Sequence, residues 1–386
     1  MLALQAQYFG QNKVQYEDYG FKILETKHFK IHYYNASDEA ISDFADQAED
    51  WYSYLSEFFY HQLPRKNPVI LYADDADFYQ NTVISSILGE GTGGVTESLK
   101  NRIVIPFNPL MAGTDHVFGH ELVHAFQYSM LSTNDSLGIQ STQNLPLWLV
   151  EGMSEYLSIG NSDVLTASWM RDAVLNNDIP SIKQLSFSNK YFPYRYGHAL
   201  VAFIAGKYGD EYVGELLLNT ANNGIYRGIS QTFGISADSL SISWKMALEQ
   251  TFLPQIESRQ TAVDFGTPVF DSKSNIGKYN IAPVLSPDGN SFIFFSERNI
   301  FTFDLFLADA NTGAVIRKLI SSEPGAHFNA IRFLQSAGSW SPDSKKIAIV
   351  TFTNGNNSIT ILNAENGKLL DQYELNNVGT IYHIDW

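Results

Sequence analysis

Apolar positions recur with different periods along the chain, and the change between periods divides it. From Phe21 to Tyr34 (FKILETKHFKIHYY) apolar and polar residues alternate around Phe29, Ile31 and Tyr33, the period of a strand or hairpin. From Asp38 to Tyr60 the spacing turns helical. Ile41, Phe44, Ala45, Ala48, Trp51, Tyr52 and Leu55 fall on one side. Pro68–Tyr72 (PVILY) reads as a short buried strand, Gly89–Gly94 as a flexible turn and Val95–Phe107 as a strand or hairpin. Helical segments follow over 114–130, 145–159, 163–176, 194–207 and 236–252, with Pro146 suited to the first turn of the second. Strands early and helices late predict an α+β domain over residues 21–260.

The pattern changes after Pro254. From Phe265 onward, short aromatic and β-branched runs are broken by Gly, Asn, Asp and Pro, which predicts all-β structure over 261–386. Two stretches repeat: Leu285-Ser-Pro-Asp-Gly-Asn-Ser-Phe-Ile-Phe-Phe and Trp340-Ser-Pro-Asp-Ser-Lys-Lys-Ile-Ala-Ile-Val. Pro presets φ for a turn, and the residues after it suit the remaining turn positions. The repeat resembles that of TolB-type β-propellers. Its spacing is somewhat above a blade's usual ~40–50 residues, so one loop is enlarged. The region has room for two to three blades, fewer than the roughly four that a closed propeller needs. Trp386 stands where Trp340 stands in the repeat, so the expectation is a partial, truncated propeller. An open β layer capped by the first domain is the alternative, at the cost of exposed strand edges. At the other end, in the segment 1–20, residues Met1–Ala6 read equally as a signal-peptide remnant or an ordinary terminus.

Composition narrows the partners. Hydrophobic residues make up 44% of the 386, enough for sizeable cores. A formal net charge of −16 argues against nucleic acid and anionic membrane surfaces. No run approaches the ~18 apolar residues of a membrane span. The absence of cysteine excludes disulfides, Cys-ligated zinc, iron–sulfur sites and a thiol nucleophile.

Residues 120–124 read His-Glu-Leu-Val-His. On a helix His120 and His124 share a face and can turn a ring nitrogen toward one ion, which points to zinc. Glu121 projects to the side, where it can take a proton from water on the metal. His116 continues the stripe, but i and i+8 stand ~12 Å apart along the axis, too far for one ion. The alternative is an amphipathic helix with packed or solvated histidines. Downstream, Leu145–Leu157 (LPLWLVEGMSEYL) sets Glu151 and Glu155 one turn apart on an apolar helix. Buried carboxylates need partners. Glu151 is therefore assigned to the metal, and Glu155 to the free ring N–H of a ligating histidine. The alternative for both is a solvent-facing side chain.

His-Glu-x-x-His followed by Trp-Leu-x-Glu-Gly resembles the gluzincin metallopeptidases, in particular the aminopeptidase and leukotriene-A4-hydrolase branch and related bacterial peptidase MA-like proteins. The resemblance covers roughly residues 20–250 and implies a zincin-like fold, one catalytic Zn2+ and Glu151 as its third ligand. Pro193-Tyr-Arg-Tyr-Gly resembles the branch's Pro-Tyr-x-x-Gly, which implies that Tyr194 stabilises the oxyanion, with Tyr196 as fallback. Gly93-Gly-Val-Thr-Glu97 lies where the branch carries Gly-x-Met-Glu-Asn. That implies a substrate-binding strand at Gly93, Gly94 and Val95. The glutamate is displaced by one position, which in a strand turns it to the other face. Amine recognition is thereby weakened, favouring an endopeptidase over an aminopeptidase.

The resulting expectation is a zinc-dependent hydrolase of peptides or proteins. Glu121 is the general base and a propeller is available to a protein partner. Joined to Ser-Pro-Asp repeats, such a domain resembles secreted bacterial peptidase–propeller proteins, implying an extracytoplasmic setting. The alternative is a non-catalytic, zinc-stabilised scaffold that presents the propeller to protein or glycan; retention of Glu121 counts against it. Hydrolysis of a non-peptide bond is the enzymatic rival.

Overall fold

The computed structural model describes residues 18–386 apart from 84–90, 108–110, 135–136, 258, 271–276, 278, 300–301, 322–329, 332–335, 354 and 376–377. Met1–Ala6 and part of the expected Gly89–Gly94 turn lie outside the described residues. The chain divides into two compact units. One holds Gly20–Tyr72 and Gly93–Thr261; the other holds Ala73–Thr92 and Ala262–Trp386, with the stretch up to Tyr19.

The first unit opens with β1 (Lys22–Glu25), β2 (Phe29–Tyr33), α1 (Asp38–Phe59) and β3 (Asn67–Tyr72). The next helix, α2 (Asp75–Tyr79), belongs to the second unit. The first unit resumes with β4 (Val95–Glu97), β5 (Arg102–Pro106) and α3 (Met111–Ser132). There follow α4 (Leu147–Ile159), α5 (Val164–Leu175), α6 (Ile182–Phe187), α7 (Pro193–Tyr208), α8 (Glu211–Asn223), α9 (Ile225–Phe233) and α10 (Ala237–Ile256). The five-stranded sheet runs β1-β2-β3-β5-β4. Its parallel centre, β2-β3-β5, buries Phe29, Ile31, Val69, Leu71, Ile103 and Ile105, while β4 lies antiparallel at the edge.

α1 starts at Asp38 because the Ser37 side chain accepts from Ala40 N–H. Its apolar stripe meets α3, where Gly119 lies against the Trp51 ring. A Cβ at Gly119 would come within 2.7 Å of that ring. α4 and α7 approach still more closely. A Cβ on Gly152 would stand 2.3 Å from the Gly197 carbonyl carbon, and one on Gly197 would stand 2.3 Å from Trp148 O. Only a bare Cα fits there. The structure adds α6, α8 and α9 to the helices expected from spacing, and α10 continues through Pro254 to Ile256. α8 and the shorter α9 are bounded by Gly209, Gly224 and Gly234, all at positive φ.

The second unit is a β-sheet region. β6 (Asn280–Leu285), β7 (Ser291–Asn299), β8 (Thr302–Asp309) and β9 (Val315–Ile320) form one antiparallel meander. β10 (Ala330–Ile331), β11 (Ser339–Trp340), β12 (Lys346–Thr353), β13 (Asn356–Asn363) and β14 (Leu369–Leu375) form the other sheet. Among the described residues neither sheet closes into a barrel. Ile293, Phe295, Leu305 and Leu307 share a core with Trp340, Ile347 and Ile349.

The two repeats make the same turn. Ser286 Oγ donates to Asp288 Oδ1 (2.7 Å) and accepts from Ser291 N–H; Ser341 Oγ donates to Asp343 Oδ1 (2.6 Å) and accepts from Lys346 N–H. The residue after Asp takes positive φ in both, Gly289 at 73° and Ser344 at 59°. The excursion 73–92 is tied to this unit: Gln80 Nε2 donates to Gly355 O, and Thr380 Oγ1 donates to Asp75 Oδ2.

The α4–α7 crossing gives a prediction. Gly152→Ala forces the helices apart and costs at least about 1–3 kcal/mol, the scale of overpacking. A lower midpoint in denaturant titration checks it; an unchanged midpoint shows that the glycines do not fix this crossing.

Candidate active site

Three helices and one edge strand meet around His120. α3 carries His116, His120, Glu121, His124 and Tyr128 along its face; α4 carries Glu151, Ser154 and Glu155; α7 carries Tyr194 and Arg195. The glycine contact sets their register. Gly152 follows Glu151 directly, and Gly197 lies about one turn after Tyr194. Closing α4 on α7 there brings Tyr194 beside Glu151.

His120 Nε2 is 3.1 Å from Glu151 Oε2 and 3.2 Å from His124 Nε2, and His124 Nε2 is 3.3 Å from the same Glu151 oxygen. Donors held ~2.0–2.1 Å from one tetrahedral ion stand about 3.3–3.4 Å apart. The triangle therefore fits a single metal ion, and all three residues are buried. Two imidazoles and a carboxylate suit a borderline divalent cation. His116 joins His120 and Glu155 in an adjoining group of donors, its Nε2 3.6 Å from Glu155 Oε1.

Burial pulls His120 down, but hydrogen bonds to Glu151 and Glu155 outweigh it and raise the ring to about 10. His124 is raised in the same way by Glu151. Burial pushes Glu151 up, yet the two histidines hold it down at about 2. Glu155 is likewise held below the usual carboxylate range, against its burial, by His116 and His120.

Each ring is also held from behind. His120 Nδ1 lies 3.1 Å from Glu155 Oε1, whose other oxygen accepts from Arg195 Nη1 at 3.2 Å. His124 Nδ1 donates to Gln127 Oε1 (3.0 Å), and Gln127 Nε2 donates to Val150 O on α4. Ser154 Oγ lies 3.3 Å from the same ring nitrogen. These contacts fix the rings with Nε2 toward Glu151.

Tyr194 stacks on His120, centroids 5.9 Å apart and planes 16° apart. Burial and then the charges of Glu151 and Glu121 raise its phenol far above the ordinary range, so it stays a donor. Tyr196 instead packs in the core, edge-on to Tyr191 and Trp169. Tyr128 stacks on His124, and burial with Glu151 and Glu121 pushes it to about 12.

β4 lies along the other side of Glu121. A Cβ on Gly94 would stand 2.9 Å from Glu121 Cγ, and one on Gly93 would stand 3.3 Å from Val117 Cγ2. Val95 is half-buried on the far face of the strand from Thr96. Glu97 pairs with Arg102 at 3.2 Å and caps the following turn through Leu99 N–H. Thr96 is the residue turned toward Glu121.

Sequence reasoning missed Thr96, Gln127, Tyr128, Ser154 and Arg195. Gln127 and Tyr128 follow His124 at i+3 and i+4, so helical spacing alone would have placed them beside it. Arg195 adjoins Tyr194 in sequence. Nothing local marked Thr96.

Residues 62–250 match the family model described as Peptidase MA superfamily. This segment is a peptidase MA superfamily domain. It contains both histidines, both α4 carboxylates and Tyr194. No curated protein matches the chain.

Three solved structures resemble parts of it. They are the β-propeller domain of the Trilobed protease from Pyrococcus furiosus (24% identity, 25% of this chain, 29% of that one, TM-score 0.20), an acylaminoacyl peptidase in complex with Z-Gly-Gly-Phe-chloromethyl ketone (17%, 25%, 18%, 0.18) and TolB from Acinetobacter baumannii (16%, 37%, 38%, 0.22). The chain spans well under half of each, and the likeness at these TM-scores does not extend to an overall arrangement.

The Gln127 bridge gives a prediction for a metal held by this triangle. Gln127→Leu frees the His124 ring, and metal affinity falls about 10–100-fold. Competition with a chelator of known affinity checks this; unchanged affinity would show the bridge to be idle.

Proposed function

We propose that this domain is a zinc-dependent peptidase that cleaves within extended peptides. The observation that carries the reading is the His120–His124–Glu151 triangle, with Glu121 next to His120 on α3, in a segment that matches the peptidase MA superfamily. His120, His124 and Glu151 would hold the ion. Zinc when bound supplies Lewis acidity, lowering the pKa of water toward ~7 and polarising a carbonyl.

The chain's own residues supply the rest. Glu121 takes the proton of the attacking water and returns it to the leaving amine. Tyr194, kept protonated, donates to the developing oxyanion; removing such a donor typically costs about 2.7–4 kcal/mol. Glu155, Gln127 and Arg195 hold the rings still. The free edge of β4 at Gly93, Gly94 and Val95 pairs with substrate backbone as an added strand.

Glu97, tied to Arg102, supports an endopeptidase over an aminopeptidase, because it is spent on its own hairpin rather than offered to a free amine. A cavity of about 350 Å³ beside Tyr128, with Leu63, Leu99 and Ile139 in its wall, offers room for an apolar side chain. The β-sheet region is read as two blades of a partial TolB-like propeller over residues 261–386, available to a protein partner, in an extracytoplasmic protein. The propeller reading is supported by the shared Ser-Pro-Asp turn, the β6-β7-β8-β9 meander and the antiparallel run β12-β13-β14. Among the described residues no helix is long and apolar enough to cross a membrane.

Glu121→Gln is expected to keep one zinc per chain and lose cleavage of a mixed peptide library; His124→Ala is expected to lose the zinc. Metal analysis and product mass spectrometry read both. Full cleavage by Glu121→Gln would remove the base assignment, and cleavage by neither protein would leave a zinc-held scaffold.

A second expectation follows from charge. His120, raised to about 10 by Glu151 and Glu155 against its burial, carries a proton at pH 7 in the metal-free protein. Ligation requires the His120 ring neutral, so zinc uptake releases its proton and tightens as pH rises from about 7 toward 10. Calorimetry in buffers of different ionisation enthalpy measures the release; no buffer dependence would refute it.

A further inference from the structure

Thr96 lies on β4, between two residues that face away from α3. Strand alternation turns Val95 and Glu97 to one side and Thr96 to the other, where it is 8% exposed. Its Oγ1 stands 2.7 Å from Glu121 Oε2 and 2.8 Å from Glu121 O. One hydroxyl hydrogen serves both acceptors, so the carboxylate is drawn back toward its own backbone and fastened to the strand.

Valine has nearly the same shape and would bury more cheaply at this position. The hydroxyl therefore has work that shape does not explain. Two residues earlier, Gly94 passes so close to Glu121 Cγ that no side chain fits between them. The strand thus touches Glu121 at its stem and again at one oxygen. Oε1 is left as the oxygen that can receive a proton.

A glutamate side chain is otherwise free to turn, and a base that wanders loses the advantage of proximity. We infer that Thr96 is the positioning residue for Glu121, fixing the carboxylate from the same edge strand that receives the substrate. The inference rests on the peptidase reading for its kinetic consequence but not for the bond itself. It also makes β4 a shared element: ordering of the strand by a bound peptide orders the base.

Two variants and two readouts test it. With the zinc-loaded full chain and a peptide found from the library, Thr96→Val is expected to lower kcat about 10–100-fold, the scale for residues that support a catalytic group, with KM changed by less than about twofold. Thr96→Ser, which keeps the hydroxyl, is expected to recover most of the loss. An unchanged kcat, a loss confined to KM, or a serine variant no better than valine would overturn the inference.

The second readout needs neither zinc nor turnover. In the metal-free chain, the Tm shift of Thr96→Val is expected to shrink when Glu121→Met is already present, because the two changes remove one bond. Equal shifts in the two backgrounds would overturn the bond. If the parent protein cleaves no peptide, the peptidase reading fails, while the Tm comparison still decides whether Thr96 holds Glu121.

Discussion

Glu151 and Glu155 are carboxylates on an otherwise apolar helix, and both are buried. Such groups are costly unless partnered. Their partners come from other elements: His120 and His124 from α3, Arg195 from α7. The need to satisfy them constrains how the three helices can pack. It also explains the glycines at the α4–α7 crossing, since a wider crossing would draw Arg195 and Tyr194 away from the carboxylates.

The same arrangement stores charge in a form that a cation can replace. The protonated His120 ring offsets the carboxylates, a part that a bound cation would take over under the proposed function. The His120–His124–Glu151 triangle already has the spacing that one ion would need. Glu155 and Gln127 keep the rings aimed meanwhile. The site is a product of helix packing, and the edge strand supplies its adjustment.

Much of this was legible in the sequence because it is local. His120, Glu121 and His124 are related by helical spacing alone. Glu151 announced itself by being charged on an apolar face. The paired Ser-Pro-Asp segments form matching turns because a turn is decided by a few neighbouring residues. What was illegible depends on partners remote in the chain. Thr96 looks like any strand residue until α3 is laid against it, and the value of Gly152 appears only when Gly197 is opposite. α9 escaped notice because its apolar repeat is brief and bracketed by glycine, whereas α8 carries Val213, Leu216, Leu217 and Ala221 at helical spacing and was open to the same reading as α4. The placement of residues 73–92 with the second unit was hidden, since they carry no sequence mark of the unit they join.

That last feature bears on how the protein is made. Residues 73–92 leave the first unit between β3 and β4, yet they bond to Gly355 and Thr380. At a synthesis rate of roughly 5–20 residues per second, Gln80 emerges about 15–55 seconds before the segment that receives it. Throughout that interval Gln80 and Asp75 lack their partners Gly355 and Thr380. A chaperone or protease acting during synthesis would therefore meet α2 before the chain that holds it exists.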